Sequence, residues 1–210
     1  MNKHIDRDLC TEYDVIGPTL VIHLGGRRRV LSSAPQGGGL TRASYILNHH
    51  VDPHSDTNGH YPDPADDLRK LAAQLGLTGG TVGLMTAVPM TRLVTARAAS
   101  DEIWVECFAT VGVTNAVRAG EWPQHPAPQS KAMKPGTINL MLITNVCLSS
   151  SAMIGVVQVV TEAKTGVLHD QAVPSHHGTS IATGTGTDAV VIAGRLRGRA
   201  LPTFMAGRTP

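Results

Sequence analysis

The ten residues GTINLMLITN (136–145) constrain this chain more than any other stretch. They are too short and too densely apolar for an amphipathic surface helix. A strand of this composition must be covered on both faces, so it belongs in the middle of a sheet with layers on either side. DEIWVECFATVGV (101–113) supplies a neighbour of the opposite character. It alternates, with Ile103, Val105, Cys107 and Ala109 on one side and Trp104, Glu106, Phe108 and Thr110 on the other.

Shorter strands are expected in TVGLMTAV and RLVTARA, and two more in TLVIHLGGRRRVLSSA, where Gly25-Gly26 is read as the turn of a hairpin. LTRASYILNHHV is ambiguous but favours a strand ending near Val51. Two helices stand out. PADDLRKLAAQLGL starts after Asp63 with Pro64 in its first turn, stacks Leu68, Leu71, Ala72 and Leu75, and stops at Gly76. SSAMIGVVQVVTEAKTGVLHD is capped by the serines at 149–151 and repeats Met153, Val156, Val157, Val160, Ala163, Val167 and Leu168 at helical spacing. AVVIAG, after Asp188, is a buried strand. Many strands and few helices define an α+β chain: one domain over residues 1–210, a layered mixed or antiparallel β-sheet with helices packed outside.

Composition narrows the function classes. Aromatic residues are only 3% of the chain, so Val, Leu, Ile, Ala and Met must build the core, and few platforms exist for stacking nucleic-acid bases. A net charge of +2, with basic residues largely dispersed, argues in the same direction against nucleic acid as a partner. The three cysteines fit neither a paired-thiol motif nor a zinc pattern, and Cys107 and Cys147 lie in apolar runs. No uninterrupted apolar stretch approaches the roughly 18 residues of a membrane span. The expectation is a cytoplasmic protein with a small-molecule ligand and no membrane partner; a homo-oligomer is compatible with it.

The glycine-rich stretches do not read as nucleotide loops. Neither Gly37-Gly38-Gly39 nor TGTGTD carries a P-loop lysine, and neither opens a helix. They offer backbone N–H groups beside small hydroxyls: Ser32 and Ser33 at the first loop, Thr183, Thr185 and Thr187 at the second. That suits a large amide-fringed ligand, or simply tight turns. Asn115, Asn139 and Asn145 sit at strand ends, where an amide can hold a substrate amide or an oxyanion, or cap a turn. Glu162 and Lys164 lie two apart on the second helix; Gln158, Glu162, Thr165 and His169 share a stripe that is either solvated or turned to a cleft. Asp188 is a carboxylate at a strand mouth, a base facing substrate or a cap on its own loop. His49, His50, Asp52, His54, Asp56 and His60 resemble a metal cluster without strict zinc spacing, so no metal ligand is assigned.

Six segments in order resemble the adenosylcobinamide amidohydrolase family of corrinoid salvage: VLSSAPQGGG, VGLMTAV, ATVGVTNAVRAG, GTINLMLITN, TEAKT and ATGTGTDAVVIA. The resemblance covers about Val30 to Ala193. It implies hydrolysis of the amide that joins aminopropanol to the corrin ring, giving adenosylcobyric acid and 1-amino-2-propanol. The corrinoid is then the substrate, and no cofactor is required. The chain departs from the pattern in the histidine-bearing loop from His49 to Tyr61 and in its C-terminal TFMAGRTP, where a further helical segment is expected.

Chemistry placed on these motifs makes Glu162 or Asp188 the general base and Lys164 the group that holds the product carboxylate or tunes Glu162. Asn115, Asn139 or loop N–H groups steady the oxyanion. Ser32, Ser33, Gly37, Gly38, Gly39, Asn115, Asn139, Asn145, Thr185 and Thr187 are the substrate-binding candidates. Thr187 or Ser33 as a hydroxyl nucleophile is an open competitor. A corrinoid carrier or sensor without hydrolysis is the alternative in a different class, and hydrolysis of another amide is a third reading.

Overall fold

The structure, a computed structural model, describes residues 3–4, 10–52, 63–122, 136–176 and 180–198. In chain order the elements are β1 (Lys3–His4), β2 (Tyr13–Ile16), β3 (Thr19–Ser32), β4 (Gly39–His50), α1 (Pro64–Gln74), β5 (Thr81–Thr86), a 3-10 turn (Met90–Arg92), β6 (Val94–Ser100), β7 (Ile103–Val111), β8 (Ala116–Val117), β9 (Ile138–Thr144), α2 (Ser150–Asp170), β10 (Gly184–Thr185) and β11 (Ala189–Gly194).

Nine of the described strands form one mixed sheet, and β8 with β10 form a separate ribbon. The long strand β3 organises the sheet. One edge pairs with β4 over most of its length. The other edge pairs first with β2 and then, over Arg29–Ser32, with β11. Beyond β11 the order is β9, β7, β6. The β4–β5 and β9–β11 pairs are parallel; the remaining pairs are antiparallel.

Gly25 and Gly26 make no hairpin. The β3–β4 register shifts between His23 and Arg28, and the two glycines, at φ +66° and +118°, lie in an irregularity within one continuous strand. A bulge and a primed turn both demand positive φ, so the same dipeptide serves either. The reversal comes later, between Ser32 and Gly39.

The sheet folds over on itself. Leu20, Ile22 and Val30 of β3, Ile46 of β4 and Leu84 of β5 share one core with Phe108 of β7, Met141 of β9 and Val191 of β11. Asn48 ties the halves, its Nδ2 donating to Thr110 Oγ1 at 2.9 Å and its Oδ1 accepting from Asn139 Nδ2 at 2.9 Å. The expected alternation of β7 holds: Glu106, Phe108 and Thr110 point inward and are fully buried. β9 is central, between β7 and β11.

The helices cover the two outer faces. Asp63 caps α1 by accepting from Ala65 N, Pro64 opens it, and Ala72 packs with Val21 and Leu47. Ser149 caps α2 by accepting from Ala152 N, and Ala152 and Met153 pack with Ile192 and Leu31. Val167, placed on the apolar stripe by its spacing, is 60% exposed, because this part of α2 overhangs an open groove beside β7 and β9. No helix among the described residues is long and apolar enough to cross a membrane.

Candidate active site

β9 and β11 run parallel, so both begin at the same rim of the sheet. Asp188 is the residue before β11. Its Oδ1 accepts from Ile138 N at 3.0 Å and from the Thr185 hydroxyl. Its Oδ2 accepts from Thr185 N at 3.0 Å and from Lys164 Nζ at 2.5 Å. The ion pair is nearly enclosed, with side-chain exposures of 15% for Lys164 and 13% for Asp188. Thr165, next to Lys164 on α2, donates to Thr183 O at 3.3 Å and so binds the helix to the same loop.

The Thr/Gly alternation now has a steric meaning. A Cβ on Gly184 would lie 2.4 Å from Asp188 Oδ2 and 2.7 Å from Lys164 Nζ, so the ion pair occupies the space that a side chain would need. Gly186 faces open space, with nothing within 4 Å of its Cβ position. Thr187 sits over Thr137, their hydroxyl oxygens 2.8 Å apart, while Thr137 Oγ1 also donates to Thr187 O at 2.8 Å.

The loop after β7 closes on the same rim. Gly112 N donates to Thr137 O at 2.9 Å. A Cβ on Gly136 would meet Asn115 Oδ1 at 2.5 Å, Gly112 O at 2.6 Å and Thr114 Oγ1 at 2.9 Å. Asn115 Oδ1 is buried and without a donor among the described residues. The ribbon pairs Thr185 with Ala116, which fixes the two loops side by side. From the other side, Ser33 extends the β3–β11 pairing: its N donates to Val190 O at 3.1 Å and its Oγ accepts from Val190 N at 3.0 Å.

The structure thus brings Asp188, Lys164, Thr185, Thr187, Asn115 and Ser33 to one rim, and leaves other candidates elsewhere. Glu162 is exposed, and two residues on a helix turn it about 200° from Lys164. Gln158 and His169 are exposed with it, so that stripe is a solvated face apart from Thr165. Asn139 is fully buried in the core, donating to Asn48 Oδ1 and Met85 O. Asn145 lies at the far end of β9, accepting from Trp104 N and donating to Glu102 O. Ser32 is buried and accepts from Ala34 N. Gly37 and Gly38 are explained by close backbone packing, since Cβ atoms there would lie 2.7 Å from Thr81 O and 2.4 Å from Ala34 O. Gly39 has φ +79° and open space around it. Thr137, Gly136 and Gly184 belong to the site and were missed. Their signal was small residues flanking polar ones at the two strand mouths.

Among the described residues no group of three or more His, Cys, Asp or Glu is placed to hold a metal ion. His49 Nδ1 lies 2.9 Å from Thr19 Oγ1. Burial, then the neighbouring His50, pushes its pKa below the usual histidine value, against the pull of Asp67. His54, Asp56 and His60 lie outside the described residues, as do most of the Pro-rich stretch 121–135, His177 and the C-terminal TFMAGRTP. An apolar cavity of about 330 Å³ adjoins Lys164, walled by Val111, Ile138, Leu140, Val160 and Val167.

The family model for adenosylcobinamide amidohydrolase matches residues 3–210. The chain belongs to that family. An adenosylcobinamide amidohydrolase of Methanosarcina mazei is 29% identical over 182 residues, covering 87% of this chain and 76% of the relative. An uncharacterized protein of Methanocaldococcus jannaschii is 30% identical over 190 residues, covering 83% and 72%. In this amidohydrolase-family chain the six resembling segments are spatial neighbours. Ser33 meets Val190, Gln36 pairs with Gly83, and a Cβ on Gly112 would lie 2.9 Å from Val88 Cγ2. Lys164 and Ile138 N both reach Asp188.

Proposed function

We propose that this chain hydrolyses the aminopropanol amide of adenosylcobinamide, a linear, non-peptide amide, to adenosylcobyric acid and 1-amino-2-propanol, and so serves corrinoid salvage. The observation that carries this reading is the enclosed Lys164–Asp188 pair, set between an apolar cavity and a rim of hydroxyls and loop amides. A corrinoid is apolar on its faces and fringed with amides. The cavity walls suit the faces, and Ser33, Asn115, Thr185 and Thr187 suit the fringe.

Of the two acids, Asp188 is the one held at the rim, and it is the base in this reading. Lys164, on the carboxylate oxygen Oδ2, orients it. Four donors hold the Asp188 carboxylate; Thr185 carries the proton that can move onto it. No metal or other cofactor takes part. Incubation with adenosylcobinamide, with and without chelator, tests the reading through corrinoid mass and released 1-amino-2-propanol. Both products should appear at the same rate in each arm. Corrinoid retained by the protein without turnover would mark a carrier or sensor instead, and turnover of simple amides alone would mark a different hydrolase.

A further inference from the structure

Among the described residues the base at this rim has one hydroxyl in contact with it, and it is neither Thr187 nor Ser33. Thr187 Oγ1 is engaged with Thr137, and Ser33 Oγ accepts from Val190 N. The Thr185 hydroxyl donates to Asp188 Oδ1, while Lys164 holds the other carboxylate oxygen from a different element. A hydroxyl on a carboxylate that a third group orients is the arrangement of an activated nucleophile. The residues after it complete the requirement. Gly186 and Thr187 are exposed at the loop tip, their N–H groups have no acceptor among the described residues, and Gly186 fronts open space. Unpaired N–H groups just beyond a nucleophile are where an oxyanion is collected.

We propose that Thr185 is the nucleophile and that hydrolysis passes through a Thr185 ester; this rests on the hydrolase reading above. Thr185 Oγ attacks the amide carbonyl carbon and its proton moves to Asp188. The oxyanion takes the N–H groups of Gly186 and Thr187. The C–N bond breaks as Asp188 returns the proton to the amine nitrogen, releasing 1-amino-2-propanol and leaving the corrinoid acyl group on Oγ. Water then attacks the ester, Asp188 accepts its proton and passes it to Thr185 Oγ, and the carboxylic acid leaves. The sum is one amide and one water consumed, one acid and one amine formed. Lys164 is a positioning residue throughout.

The test is turnover of adenosylcobinamide by the wild-type protein in increasing hydroxylamine, with Thr185→Ala and Thr185→Ser beside it. An ester predicts a corrinoid hydroxamate formed at the expense of the acid, with 1-amino-2-propanol release unchanged when acylation limits the rate. At saturating corrinoid Thr185→Ala should lose at least ~100-fold in turnover, and Thr185→Ser should stay within about 10-fold of wild type. Wild-type turnover in Thr185→Ala, or no hydroxamate with a Thr185→Ser protein as inactive as Thr185→Ala, overturns the nucleophile and leaves the hydrolase reading intact. A wild-type protein that releases no amine overturns the hydrolase reading, and the nucleophile with it.

Discussion

Lys164 Nζ lies 2.5 Å from Asp188 Oδ2, joining the second half of α2 to the first residue before β11. Removing one member of such an enclosed pair leaves an uncompensated charge out of water. Lys164→Met or Asp188→Asn should therefore each cost about 3 kcal/mol in urea unfolding, the lower end of the range for buried pairs because neither group is fully sealed. The double variant should cost less than the sum of the two. Additive losses would show that the pair does not couple.

Gly184 is tested by the space it leaves. Gly184→Ala puts a methyl against Asp188 and Lys164, and should destabilise by about 1–3 kcal/mol as it forces the pair apart. Gly186→Ala, in open space, should change stability by less than about 0.5 kcal/mol. Equal effects in thermal unfolding would contradict the close approach at Gly184.

Asn139 is expected to matter for folding rather than for substrate contact. Asn139→Ala strips donors from Asn48 Oδ1 and from Met85 O inside the core, at about 1–3 kcal/mol for each buried acceptor left unpaired. Asn145→Ala, at the far end of β9, should leave the KM for corrinoid unchanged. A raised KM in Asn145→Ala would place substrate where this structure has a turn.

Much of this was legible in the sequence because it depends on local pattern. The alternation of Trp104, Glu106, Phe108 and Thr110, the central place of β9 with Met141 buried and Leu140 half-buried, and the caps at Asp63 and Ser149 each follow from a few neighbouring residues. Asp188 at a strand mouth was legible for the same reason. What could not be read depends on contacts distant in sequence. Gly25-Gly26 asks only for positive φ and does not say whether β4 folds back there. Asn139 shows its role only once β4 lies across β9 and brings Asn48 to it. That Glu162 and Lys164 leave the helix on different faces follows from their spacing, but the pairing of Lys164 with Asp188, 24 residues away, does not.

Burial pushes the Cys107 thiol up to about 11, and an alkylating reagent needs the thiolate. In native protein near pH 8, Cys10, which is exposed, should be modified first and Cys107 last. Peptide mapping after brief iodoacetamide treatment checks the order; early labelling of Cys107 would contradict its burial.

His49 gives a pH dependence. Its folded-state pKa lies below the ordinary 6.5, chiefly through burial. Between those two values the unfolded chain binds more protons, so stability is fully present above pH 6.5 and is lost as pH falls through the folded pKa. Urea unfolding from pH 7.5 down to 5.5 should show this loss, and His49→Gln should flatten it. A wild-type profile unaltered by His49→Gln would assign the loss to other groups.

The most direct test of the proposed chemistry is 1-amino-2-propanol release from adenosylcobinamide by wild-type and Asp188→Asn proteins, matched for folded fraction and corrinoid binding. Release should equal acid formation in the wild type and be at least ~100-fold slower in Asp188→Asn with the corrinoid still bound. Release at the wild-type rate by a folded Asp188→Asn protein would contradict that chemistry.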